Sequence, residues 1–129
     1  MIKTKRAYEA VGKTDGYRVL IDRLWPRGVS KAHLQLDEWA KELAPSTELR
    51  KSFAHDPARW NDFRTKYLKE LQSRPARERI ADLLRLAKRT RVTIVYGARD
   101  EEHNNAVVLK ELLDRKMGAE PRSHAAKAA

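Results

Sequence analysis

The residues of this 129-residue chain best suited to chemistry fall into two clusters and one isolated pair. The first cluster is Asp22-Arg23-Leu24-Trp25-Pro26-Arg27-Gly28, which follows directly on an apolar run ending at Ile21. A guanidinium is a rigid fork that grips a carboxylate or phosphate through two parallel hydrogen bonds. Arg23 and Arg27 are therefore candidate anion clamps. Trp25 offers a flat wall for a ring, and Gly28 permits a sharp exit of the backbone. The second cluster is Gly97-Ala98-Arg99-Asp100, running into Glu101-Glu102-His103-Asn104-Asn105. Arg99 adds a third fork, and Asp100 with Asn104 could orient a ligand or a water. Acids at 100–102 crowd the same stretch and work against a phosphate resting there. Between the clusters lies His55-Asp56. An imidazole titrates near neutral pH, which makes His55 the candidate proton donor or acceptor, with Asp100 as the second candidate catalytic residue. Asp56 before Pro57 is already explained as a helix cap.

Each of these residues also has a plain structural explanation. Arg23 could pair with a buried acid, Trp25 could be core, Pro26 and Gly28 could only turn the chain, and Asp100 could only cap a helix. Trp39, Trp60, Phe63 and Tyr67 stand at helical spacing and read as core. No Gly-rich phosphate loop or dinucleotide fingerprint occurs, so no cofactor is expected. There is no nucleophile-elbow serine, and the four histidines lack the spacing of metal ligands. With no cysteine, neither a thiolate nucleophile nor a thiolate metal site is expected.

The elements that must hold these groups are legible from periodicity. Residues 2–8 read as a short edge strand, with Lys3 and Lys5 on one face. Val19-Leu20-Ile21 and Val92-Thr93-Ile94-Val95-Tyr96 are continuous β-branched runs, the mark of strands covered on both faces. Leu36, Trp39, Ala40 and Leu43 predict a helix from about 36 to 44. Further helices are predicted over 46–54, after Asp56-Pro57, after Pro75, and after Asp100, which would cap the last. The expectation is a small single α/β domain over residues 1–117. Its short, mostly parallel sheet has two buried strands plus an edge strand, covered by about five helices, and residues 118–129 form a flexible tail. In such sheets ligands bind beyond the carboxyl ends of the strands, so the two clusters would meet on one rim.

Composition bounds the partners. The net charge is +10, and residues 1–31 hold eight Lys/Arg against three Asp/Glu. That balance favours an anionic partner, either a small ligand or a nucleic acid. No apolar run approaches the ~20 residues that cross a membrane. There is no signal-peptide pattern, so no membrane partner is expected and the expected location is cytoplasmic.

With RLWPRG at 23–28, WAKELAPS at 39–46, LRKSFAHDPARWNDF at 49–63 and VTIVYGARDEEHNNAVVL at 92–109, the chain resembles the YeaO-like family of bacterial proteins, a domain of unknown function. The resemblance spans about residues 2–115. It implies a small cytosolic α/β domain and marks Arg23, Trp25, Pro26, Arg27, Gly28, His55, Asp100 and Asn104 as signature positions. A related branch carries a cysteine motif near the last strand. Here Tyr96-Gly97-Ala98 stands in that place, which puts a thiol mechanism in doubt for this chain.

Three readings follow from the sequence. The leading one is a site for a small anion at the strand ends, with or without catalysis. The second is a basic nucleic-acid-binding or regulatory module. The third is a structural or partner-binding domain in which RLWPRG is a buried corner.

Overall fold

A computed structural model describes residues 1–118; the expected C-terminal tail lies almost wholly outside the described residues. The chain runs β1 (Ile2–Arg6), β2 (Tyr17–Leu20), α1 (Lys31–Leu34), β3 (Glu38–Trp39), α2 (Thr47–Phe53), α3 (Trp60–Glu70), α4 (Arg74–Ala87), β4 (Val92–Tyr96) and α5 (Asn105–Gly118), with 3-10 turns at Lys41–Leu43 and Pro57–Arg59. The four strands form one sheet in the order β1-β4-β2-β3, and every pairing is parallel. The result is the small α/β domain expected, with β1 at one edge.

Alternation along the central strands splits the core in two. Val19, Ile21, Val92, Ile94 and Tyr96 face a thick helical layer that includes Phe53, Phe63, Tyr67, Ile80, Leu83, Leu109 and Leu113. Leu20 and Val95 face the thin side, where Ala7, Val29 and Leu34 pack with Trp25, Leu36 and Trp39. Covering both faces explains why these strands read as unbroken apolar runs.

Two sequence expectations fail. The helix over 36–44 is instead a two-residue strand followed by a 3-10 turn. Its apolar spacing fits a helix, but β2 offers an open edge: Val19 registers with Glu38 and Leu20 with Trp39. The Ala40 N–H then donates to the Leu20 carbonyl at 2.8 Å. Pairing of main-chain groups outweighs a seven-residue periodicity. The second failure concerns Asp100, which does not cap the last helix. That helix starts at Asn105, and Asn104 is its cap, the side-chain Oδ1 accepting from the Val107 N–H at 3.0 Å.

Of the remaining caps, Asp56 alone is read from the sequence. Ser46, Asp56 and Ser73 accept from the backbone amides of Leu49, Ala58 and Ala76. No helix among the described residues is long and apolar enough to cross a membrane.

The amino-terminal end of the sheet is held by ions. Asp15, 1% exposed, takes Lys3, Lys5 and Arg18 at 2.9, 3.1 and 2.6 Å. Burial pushes its carboxyl up, but hydrogen bonds from Lys3, the Gly12 amide, Lys5 and Arg18 outweigh that and hold it well below the usual carboxylate range. The buried Arg18 also donates to the Leu34 carbonyl through Nε and Nη2, tying β2 to α1.

Candidate functional site

The opposite, carboxyl end of the sheet carries a cleft of about 240 Å³. Its position follows from topology. Chain leaving β2 passes to the thin side, where Val29 and Leu34 pack, whereas chain leaving the neighbouring β4 passes to the thick side through α5. Adjacent strands whose exits part to opposite faces leave a crevice between them. Asp22 to Pro26 line it from β2, and Gly97, Ala98 and His103 to Asn105 from β4. Pro45, Arg50, Phe53, His55 and Phe63 close it from the helical side.

Asp22 lies at the centre of the hydrogen bonding. Its Oδ2 accepts from the Gly97 N–H at 2.8 Å and its Oδ1 from Asn105 Nδ2 at 3.0 Å. Asn105 Nδ2 also donates to the Ile21 carbonyl at 3.1 Å, so one amide group bridges β2's exit to α5. Burial pushes the Asp22 carboxyl above its ordinary value; the bonds from Asn105 and Gly97 and the charges of Arg50 and His55 oppose that rise. A Cβ added at Gly97 would sit 3.1 Å from Asp22 Oδ2, so the residue at 97 is small because the carboxylate presses on it.

The cationic groups surround this carboxyl. Arg23 is half-buried and donates through Nε to the Pro45 carbonyl at 3.3 Å. Arg50 is exposed, and its guanidinium has no hydrogen-bond or ion-pair partner among the described residues. His55 is exposed and sits 6.1 Å from the Phe53 ring, centroid to centroid. It follows Ala54 at the end of α2, and both residues hold left-handed backbone angles, φ 48° and 57°. His103 is turned by Asp100: its Nδ1 lies 2.9 Å from Asp100 Oδ2, and its ring packs edge-on to Trp60 at 5.2 Å. Asp100 also accepts from the amides of Glu102 and His103, and these bonds hold its carboxyl below the ordinary value.

Of the residues singled out in the sequence, Arg23, Trp25, His55 and Asn104 line the cleft. Trp25 packs edge-on to Trp39 with centroids 5.4 Å apart and donates its indole N–H to the Val29 carbonyl at 2.6 Å. Arg27, Gly28 and Arg99 are exposed and lie outside the lining; Asp100 reaches the cleft only through His103. Gly28 does adopt a positive φ of 78°. Sequence reasoning set Asp22 and Asn105 within the two clusters but gave neither a role, and it passed over Arg50. Asp22 had a usable signal, a charge set directly after a buried strand. Arg50, on the outer side of a short helix, had none.

Fold and site together define a small parallel α/β domain with a cleft at the carboxyl ends of β2 and β4. The chain belongs to the family described as the inactive DUF488-N3 subclade, whose model matches residues 1–129. It is 46% identical over 113 residues to the uncharacterized protein YeaO of Escherichia coli, covering 87% of this chain and 96% of that one. It is 38% identical over 113 residues to the uncharacterized proteins Rv3073c of Mycobacterium tuberculosis and Mb3100c of Mycobacterium bovis, covering 88% of this chain and 93% of each relative. No solved structure matches the chain significantly.

Proposed function

We propose that this protein binds a small anionic ligand, one bearing a phosphate or carboxylate, in the cleft at the carboxyl ends of β2 and β4. The observation that carries this reading is the meeting of Arg23, Arg50 and His55, from two distant stretches, around one opening. A guanidinium with no hydrogen-bond or ion-pair partner among the described residues, beside an aromatic-lined cleft, suits an incoming anion. The family is described as inactive, and the chain has no cysteine, so recognition without turnover is the economical form of the reading.

The net charge of +10 alone supports a nucleic-acid partner less well. Charge alone specifies no binding face, whereas the cleft groups its cations around one opening.

The test is isothermal titration of inorganic phosphate, phosphorylated sugars and nucleotides into the wild type and Arg50→Ala. Binding that Arg50→Ala weakens about tenfold or more, as loss of a charge-assisted contact should, is the expected result. Identical affinities of the two proteins for every probe would remove the cleft from consideration. Tight oligonucleotide binding with a steep salt dependence would favour the basic-module reading instead.

A further inference from the structure

An anion site has no use for a carboxylate at its centre, yet Asp22 lines the same cleft as Arg23, Arg50 and His55. Resting on the anion reading, we infer that the ligand is bipolar, with a planar N–H donor edge of the guanine type facing Asp22 and an anionic group at the arginine side. Each Asp22 oxygen takes one protein donor, Gly97 N–H on Oδ2 and Asn105 Nδ2 on Oδ1. A carboxylate has about four acceptor sites, so each oxygen keeps capacity for a further donor. Two parallel N–H groups in one plane match that arrangement, as in fork-to-fork pairing.

A compact ammonium matches it poorly. An ammonium brings three donors that diverge and cannot lie parallel along one carboxylate edge. The walls also favour a flat ring over an aliphatic chain, since Trp25, Phe53 and Phe63 all line the cleft. About 240 Å³ accommodates one ring system, and Arg50 and His55, both exposed members of the lining, are available to its anionic substituent. Among the common nucleobases only guanine presents two adjacent donors, a ring N–H and an exocyclic amino group, without an intervening acceptor. Burial of Asp22 would turn a missing donor into a strong penalty, which is the physical basis of selectivity.

The experiment is isothermal titration of guanosine 5′-monophosphate, inosine 5′-monophosphate, ribose 5-phosphate and guanosine into the wild type, Asp22→Asn and Arg50→Ala. Guanosine monophosphate should bind at least about tenfold more tightly than inosine monophosphate, which lacks the exocyclic donor. Asp22→Asn should erase that gap and leave ribose 5-phosphate unchanged; Arg50→Ala should weaken every phosphate-bearing probe alike. The comparison of guanosine with inosine monophosphate on the wild type stands even where Asp22→Asn fails to fold. Equal binding of guanosine monophosphate and ribose 5-phosphate overturns the guanine-type edge and keeps the anion reading. Asp22-dependent binding of guanosine, with no gain from its phosphate, overturns the anion reading and keeps the edge. No binding of any probe overturns both.

Discussion

Asn105 reaches 83 positions back along the chain to place its side-chain amide 3.0 Å from the Asp22 carboxylate and 3.1 Å from the Ile21 carbonyl. One NH₂ group thus fixes the start of α5 against the exit of β2 and partly neutralises the burial of a charge. Asn105→Ala leaves two buried acceptors without their donor. The expected cost is about 1–3 kcal/mol of stability in urea unfolding. An unchanged unfolding midpoint would show that water replaces the amide freely.

At the other end of the sheet the ion cluster sets the acid limit. Asp15 is held below its ordinary value of 3.8. The native state therefore binds this proton less tightly than the unfolded chain, and the stability it confers is present above 3.8 and lost as pH falls below it. Asp22, raised by burial, has the opposite sign: its contribution is greatest below the unfolded value and declines as pH rises through the folded one. Asp15→Asn should cost about 3–5 kcal/mol at pH 7, because it leaves buried Arg18 without a counter-ion, and should flatten the loss of melting temperature between pH 5 and 2. A melting temperature at pH 7 within a degree of the wild type would contradict this.

Two glycines in the left-handed region should behave differently. Gly16 has φ 65°, and a Cβ there would fall 2.2 Å from the Arg91 carbonyl oxygen, which also accepts the Tyr17 N–H. Gly16→Ala should cost about 2–5 kcal/mol through clash and strain together. Gly28 has φ 78° with nothing within 4 Å of a Cβ, so Gly28→Ala should cost only the conformational term of about 1–2 kcal/mol. Equal melting temperatures for the two variants would refute the distinction.

Ala54 closes α2 in the left-handed conformation, φ 48°, with its N–H on the Arg50 carbonyl at 3.0 Å. Glycine is the residue that position favours. Ala54→Gly should raise stability by about 0.5–1 kcal/mol while leaving anion affinity intact. Destabilisation in thermal melts would mean that the methyl group contributes packing that outweighs the strain.

The loop after β4 depends on Asp100, whose carboxylate accepts from the amides of Glu102 and His103 and from the His103 ring. Asp100→Ala should speed hydrogen exchange at those two amides with little change in global stability. The wild type should lose the same protection only as pH falls through the carboxyl's folded value, which lies under its ordinary one. Exchange rates insensitive to the substitution would place the loop's order elsewhere.

The sequence by itself determined the class and the rim. Unbroken apolar runs at 19–21 and 92–96 required a sheet covered on both faces, and a parallel sheet puts its exits, RLWPRG and YGARDEEHNN, at one end. Asp56 before Pro57 located the 3-10 turn leading into α3, because capping is a local interaction. Only the tertiary structure decided the rest. Glu38-Trp39 is strand because β2's open edge captured it, against its own helical spacing. Arg23 faces the cleft while Arg27 and Arg99 face water, although all three have the same chemistry. Side-chain direction at a strand exit depends on where neighbouring elements leave room, and contacts such as Asp22 with Gly97 and Asn105 join residues more than seventy positions apart, a range that no local pattern encodes.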